Sequence, residues 1–347
     1  MLNFDKIFTN YEIDKIISCH QINIGLINQS FLIATKNKKY VLQLINTEVF
    51  LRIDILESNF QNLTAHLIFQ QNTNFKGINF IRNKKNNIHT RVGDKVFRLM
   101  EYIDHKTFNK KNIDATTLFE MAKNLGNFHN VLNASNIQIK ASIPNFLDFD
   151  SRINLFQKAL KLGNIRRIEE ASCEIEFCIK YAEVIALWKK ETSAFNSSII
   201  HGDPKWNNFL LNDHGKVISF VDWDTIMPGF IHYDVGDLVR SSVLDVEENE
   251  IDIEFKVKRF ESILEGYKAS EYYSKLTKRE RAFLDICALP IIYIQALRFV
   301  TDFIFNDIYY LTNYENENLD KSKNHIKLFQ RIYVLLEEKD QLGFFSI

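Results

Sequence analysis

The run His201-Gly202-Asp203-Pro204-Lys205-Trp206-Asn207-Asn208 places a carboxylate and an amide at the H-x-D-x-x-x-x-N spacing. At that spacing the aspartate can face an acceptor hydroxyl, and the asparagine can hold a magnesium ion. Downstream, the apolar run Val217-Ile218-Ser219-Phe220-Val221 ends in Asp222, a second oxygen ligand for the same kind of cation. Phosphoryl transfer asks little covalent chemistry of a protein. It needs metal-bearing side chains and one hydroxyl-orienting carboxylate, held in line with the transferred group. Asp203, Asn208 and Asp222 supply those types in that order. The opposing reading is a turn-rich hairpin with incidental polar residues. Crowded carboxylates argue against it, because they are costly without a cation among them.

The elements around these residues fit the chemistry. Ser198-Ile199-Ile200 leads into the loop and Phe209-Leu210-Leu211 leaves it. Asn212-Asp213-His214-Gly215 then makes a turn before the strand that delivers Asp222. Towards the N-terminus the pattern predicts strands at 21–24, 31–34 and 40–45, with a polar turn over 25–30. A helix is predicted over 48 to about 70, with Phe50, Ile53, Leu56, Phe60, Leu63 and Leu67 on one side, and further strands near 78–82 and 95–103. From Asn112 the period becomes helical, and helices are predicted near 112–129, 151–162, 173–195, 251–268, 279–306 and 321–338. The fold class is therefore α+β, with a small β-rich lobe over 1–103 and a larger, mainly helical lobe over 104–347.

Bulk properties narrow the function. The 347 residues suffice for two cores, and 46% hydrophobic with 25% charged residues is ordinary for a globular chain. A net charge of −1 gives no electrostatic footprint for nucleic acid or an anionic membrane. Cys19, Cys173, Cys178 and Cys287 form no C-x-x-C pair, so free thiols in a reducing cytoplasm are expected. No signal peptide is indicated at the start. The apolar stretch 288–300 is interrupted by Pro290, Gln295 and Arg298 and is too short to span a bilayer. A cytoplasmic protein acting on a small molecule is the expectation.

At the catalytic segment the chain resembles the aminoglycoside phosphotransferase and choline kinase superfamily, small-molecule kinases with a protein-kinase-like fold. Asp222-Trp223-Asp224-Thr225-Ile226-Met227-Pro228-Gly229, then Tyr233-Asp234-Val235-Gly236-Asp237 and Arg240, look like its N-acetylhexosamine 1-kinase branch. So do Leu297-Arg298-Phe299-Val300-Thr301-Asp302 with Asp307-Ile308-Tyr309-Tyr310, the loop 25–31, Tyr40-Val41-Leu42-Gln43 and Arg98-Leu99-Met100-Glu101-Tyr102-Ile103. The resemblance implies a two-lobe kinase fold that uses ATP and Mg2+ to phosphorylate the anomeric hydroxyl of N-acetylglucosamine or N-acetylgalactosamine. It makes Asp203 the base, sets Lys205 beside the γ-phosphate, and makes Asn208 and Asp222 the magnesium ligands. His201 and Asp234 would brace the loop. Gly25, Asn28 and Gln43 would lie at the phosphates, and Met100, Glu101 and Tyr102 would form the hinge at the nucleobase. Asp224, Arg298, Tyr309 and Tyr310 would face the acceptor.

Two departures from the family pattern stand out. Gly25 is the single glycine of the phosphate loop, followed by Leu26 where a histidine is expected, and Gln43 occupies the position of a phosphate-binding lysine. Several roles stay open on residues alone. Asp224 could be a ligand or a residue that orients its loop. Arg298 could bind sugar or pair with Asp302 four residues on. Tyr309 and Tyr310 could be core aromatics, and Gln43 only a polar strand residue. At the level of function, an aminoglycoside, choline or another alcohol could replace the hexosamine as acceptor. A pseudokinase that binds without turnover is the alternative of a different class.

Overall fold

Runs of β-branched and aromatic residues alternating with polar ones build a sheet whose two faces differ in character. A computed structural model of the chain describes residues 4–22, 27–69 and 75–343. The elements of the N-terminal region are α1 (Phe4–Phe8), β1 (Ile16–Ile22), β2 (Gln29–Thr35), β3 (Lys39–Ile45), α2 (Ile53–Phe69), β4 (Phe80–Ile81), β5 (His89–Val92) and β6 (Lys95–Glu101). The strands run antiparallel in the order β1-β2-β3-β6-β4, with β5 also pairing β6. One face carries the core: Phe31, Ile33, Tyr40, Leu42, Phe97 and Leu99 pack with Ile7 and Tyr11. Burying each large side chain contributes about 1.5–3 kcal/mol. The register sets Gln43 opposite both Ser30 and Arg98, and these alternate positions put polar groups on the other face.

The remaining elements are α3 (Ala115–Leu132), α4 (Phe149–Leu162), α5 (Ile165–Glu170), α6 (Ser172–Lys180), α7 (Glu183–Thr192), β7 (Ser198–Ile200), β8 (Phe209–Leu211), β9 (Val217–Phe220), β10 (Met227–Gly229), α8 (Ile231–Ser242), α9 (Val257–Lys268), α10 (Lys278–Phe283), α11 (Ala288–Ile304) and α12 (Glu317–Glu338). The chain forms two compact units. A sheet unit comprises Met1–Lys106, Val131–Pro144 and Phe209–Pro228, and a helical unit comprises Thr107–Asn130, Asn145–Asn208 and Gly229–Ile347. The β8–β9 hairpin and Asp222 belong to the sheet unit, and the loop carrying Asp203 belongs to the helical unit.

In the helical unit, α11 is buried along most of its length and packs against α12, α8 and α4. Gly236 permits the α8 contact, since a Cβ there would lie 2.6 Å from Ile291 and 2.8 Å from the Cys287 carbonyl. The helix expected over 279–306 is two helices, because Pro290 lies in the first turn of a new one, where its missing N–H costs nothing. The stretch 173–195 likewise divides into α6 and α7, and the helix expected from 251 starts at Val257. The run Lys278-Arg279-Glu280-Arg281, which reads as a solvated face, hides Glu280 instead: its carboxylate closes a capping box with Thr277. The cysteines are free, with Cys178 and Cys287 buried. Among the described residues no helix is long and apolar enough to cross a membrane.

Candidate active site

The loop that carries Asp203, in the helical unit, is held by one carboxylate. Strand β7 leads to His201, and Gly202 adopts a left-handed φ of 83° that its missing Cβ allows. Asp234, on α8, accepts the His201 N–H at 2.7 Å and the Gly202 N–H at 2.9 Å. His129 Nε2 lies 2.8 Å from the same carboxylate, and its Nδ1 lies 2.8 Å from the Tyr267 hydroxyl. Asp234, His129 and His201 are wholly buried, so each polar atom in this brace substitutes for lost water. His129 gives no signal in the sequence, because its partners are distant in the chain.

The loop brings Asp203, Lys205 and Asn208 together. Lys205 Nζ is 3.0 Å from Asp203 Oδ2. The Asn208 amide nitrogen donates to the Asp203 carbonyl at 2.7 Å and to its carboxylate at 3.2 Å. With the nitrogen so engaged, the amide oxygen of Asn208 is the atom with ligand chemistry for a hard cation. The Asp203 and Lys205 side chains keep 19% and 28% exposure, enough for a substrate to reach them. Behind them Asp237 is buried, and burial pushes its carboxyl up against the pull of Arg240, which bonds it at 2.7 Å.

A second group in the same unit surrounds Arg298. Its guanidinium lies 5.8 Å from the ring centre of Tyr309 and 5.5 Å from that of Tyr310, whose rings meet edge to face. It bonds Gln295 at 2.9 Å, so the ion pair with Asp302 that the sequence allows is not the arrangement adopted. Asp302 instead accepts the backbone N–H groups of Tyr309 and Tyr310, both at 2.8 Å. The loop before them contains Asn306 and Asp307 at φ of 64° and 58°, a costly conformation for residues with a side chain. Arg167 at 2.5 Å and Asn318 at 2.9 Å fix Asp307 in place. Tyr309 is 63% exposed, whereas Tyr310 is half-buried with its ring centre 4.8 Å from that of Phe299, so only Tyr309 stands clear of the core.

In the sheet unit, Asn28, Gln43 and Asp224 come together around a residue that sequence reasoning missed, Arg98. Its guanidinium bonds both oxygens of Asp224 at 2.5 Å and the Gln43 carbonyl oxygen at 2.6 and 2.8 Å, above the Phe60 ring. Asn28 donates to Asp224 at 3.2 Å, and the Gln43 amide donates to Ser30 at 3.1 Å. Asp224 is 1% exposed, and its carboxylate is spent on Arg98. It therefore orients its neighbours and offers no surface to an acceptor. Gln43 turns its oxygen to Arg98, so the charge missing at its own position stands one strand away. The cross-strand register was the available signal.

Asp222 follows the β8–β9 hairpin, whose turn closes through Gly215. It adopts a left-handed φ of 64°, a strained conformation of the kind found at functional positions. At the expected hinge, the Glu101 N–H is bonded to the Asn79 carbonyl at 2.9 Å and the Tyr102 N–H to the Lys39 carbonyl at 3.0 Å. Glu101 also pairs with Lys38 at 2.6 Å, and Met100 is buried. Those two donors are thus engaged within the sheet unit. Gly25 lies outside the described residues. Among the described residues no cluster of three or more His, Cys, Asp or Glu side chains could hold a metal. Asn208 and Asp222 each carry an oxygen of the type that a magnesium ion takes as ligand.

Residues 18–274 match the model of a family described as the phosphotransferase enzyme family (APH). Solved structures share the fold at low identity. A microcompartment-associated aminopropanol kinase aligns over 99% of both chains, with 13% identity and a TM-score of 0.62. A choline kinase from Cryptosporidium parvum aligns over 96% of this chain and 95% of its own, with 14% identity and a TM-score of 0.59. A spectinomycin phosphotransferase in complex with ADP and spectinomycin aligns over 97% of both, with 12% identity and a TM-score of 0.58. The mixed α+β architecture, with a sheet-rich N-terminal region and a helical C-terminal part, is the protein-kinase-like fold of these neighbours.

Proposed function

We propose, from the premise that the chain belongs to the phosphotransferase enzyme family, that it is a small-molecule kinase using ATP and Mg2+, with the anomeric hydroxyl of an N-acetylhexosamine as acceptor. The observation that carries the kinase reading is the braced loop, in which Asp203, Lys205 and Asn208 converge over a fully buried Asp234. Asp203 takes the role of base, accepting the proton of the acceptor hydroxyl. Lys205 neutralises charge on the transferred phosphoryl, and Asn208 and Asp222 hold the magnesium. Residues 1–103 are assigned to nucleotide binding and 104–347 to catalysis and acceptor binding, in the cytoplasm. ADP in the spectinomycin phosphotransferase supports an adenine nucleotide as donor. The three neighbours are kinases of aminopropanol and choline and a phosphotransferase of spectinomycin, so they support a hydroxyl acceptor without specifying a sugar.

The hexosamine rests on the group around Arg298, where a cation, a carboxamide and two tyrosine rings, one of them exposed, supply the contacts a pyranose uses. A cationic acceptor such as choline or an aminoglycoside would meet an unfavourable charge there. One observation favours a binding module without turnover: Gln43 stands where a lysine is expected and is occupied by Arg98. A single assay separates these readings. ADP release is measured with N-acetylglucosamine, N-acetylgalactosamine, choline and an aminoglycoside, and the product is identified. A sugar 1-phosphate is expected, and Asp203→Asn should lower kcat by about 10²–10⁴ while ATP still binds. Turnover of choline or the aminoglycoside alone removes the sugar, and no turnover with any acceptor removes the kinase.

A further inference from the structure

Helix α4, which carries Arg152, packs against α11, which sets Arg298 over Tyr309 and Tyr310, and Arg152 feels the charge of Arg298 and of both tyrosines. Of the partly buried arginines of the helical unit, Arg240 is matched by Asp237, Arg167 by Asp307 and Arg281 by the Ser274 carbonyl. Arg259 is matched by the carbonyls of Ile113 and Ser242. Arg152 and Arg298 differ. Among the described residues neither forms an ion pair with a carboxylate. Arg298 bonds the neutral Gln295, and the Nε of Arg152 is buried with no hydrogen-bond partner. Burial, then the positive charge of Arg298, holds the Arg152 guanidinium below its ordinary pKa, so the two cations act on one another. Two half-buried guanidiniums without a counter-charge are costly, and an oxyanion removes the cost through forked, charge-assisted bonds.

We propose that Arg152 and Arg298, with the tyrosines beside them, form an oxyanion subsite, so that the acceptor carries a carboxylate or phosphate besides the hydroxyl that is phosphorylated. This deepens the kinase reading and rests on it. Placement near the chemistry follows from α8, which packs against the α11 that carries Arg298 and whose Asp234 holds the loop that carries Asp203; Tyr233, next to Asp234, feels both Asp203 and Arg298. An acceptor can thus meet Asp203 with a hydroxyl and the arginine pair with its anion. The substrate class is then an acidic relative of the hexosamine, either of uronic-acid type with a carboxylate or bearing a phosphate ester.

The test uses the full chain with ATP and Mg2+ and compares N-acetylglucosamine, N-acetylglucosamine 6-phosphate, glucuronate and galacturonate by ADP release. At least one anionic acceptor should exceed the neutral sugar tenfold in kcat/KM, the acids and the phosphate ester telling the two anions apart. Arg152→Gln should raise the KM of that acceptor at least tenfold more than it raises the KM of the neutral sugar or of ATP. Arg152→Lys, which keeps the charge without the fork, should fall between. The proposal is overturned if the neutral sugar matches every anionic acceptor, or if the loss in Arg152→Gln falls on the ATP KM, which would make the bound anion the nucleotide's own phosphate. If no acceptor releases ADP, the kinase reading fails, and thermal stability in glucuronate or inorganic phosphate decides the subsite. A rise in Tm that Arg152→Gln abolishes keeps it, and no rise with either anion ends it.

Discussion

A guanidinium and a carboxylate facing one another inside a protein each cost several kcal/mol to desolvate, and only near-complete pairing returns that cost. Arg98 and Asp224 meet the condition, with side chains 3% and 0% exposed and two bonds at 2.5 Å. Asp224→Ala alone should therefore cost about 3–5 kcal/mol, because it leaves a buried guanidinium with only Gln43. The double variant Arg98→Met/Asp224→Leu should recover most of that loss, and urea unfolding of the two measures it. Equal destabilisation by both would show that the site is limited by packing and not by charge. At this scale legibility follows distance along the chain. Asp203, Lys205 and Asn208 stand within one loop, where spacing alone brings them together. Arg98 and Asp224 lie 126 positions apart, and nothing local in an apolar strand marks Arg98 as the partner of Gln43.

Elements were legible where one face is wet. Strands β2 and β3 and helices α4 and α12 show their alternation or period because one side is less buried than the other, whereas β6, buried from Val96 to Met100, shows only as an apolar run. Helix α8 was missed for the opposite reason: nearly every residue of it is buried, so no polar stripe marks its period, although it carries Asp234 and Asp237. Strand β5 and helix α1 are too short to establish a pattern. The loop between α11 and α12 shows how one side chain can hold an element. Asp302→Ala removes the acceptor of two backbone N–H groups, each worth about 1–3 kcal/mol when left unpaired, and frees Tyr309 and Tyr310. The acceptor KM should rise at least tenfold with the ATP KM within twofold. Asp302→Asn, which keeps one oxygen, should lie between. An unchanged acceptor KM in Asp302→Ala would detach this loop from acceptor binding.

Across the molecule, acid should weaken the fold in two stages, one of them confined to the helical unit. Burial first, against the Glu280 carbonyl at 2.8 Å, depresses His232 to about 4. Burial likewise takes His325 to about 4, with Arg240 reinforcing it while Glu248 and the Lys321 carbonyl oppose. A base depressed in the fold binds fewer protons there than in the unfolded chain. Its stabilisation is complete above the unfolded pKa near 6.5 and is lost as pH falls towards 4, on the order of 3 kcal/mol per ring. The second stage lies in the sheet unit. Burial would raise Glu57, but the His89 ring at 2.7 Å and the N–H groups of Ile88 and His89 outweigh it and hold the carboxyl at about 2. A depressed acid contributes above its unfolded pKa near 4.5 and loses that contribution on the way to 2. Calorimetry from pH 7 to 2.5 should show Tm falling from about pH 6.5, and His325→Gln should flatten the upper part of the curve. Glu57→Gln should lower Tm at neutral pH and flatten the curve only below about pH 4.5. A Tm independent of pH between 6.5 and 4.5 would mean that His232 and His325 are protonated in the fold, with carboxylates nearer to them than Glu248 lies to His325.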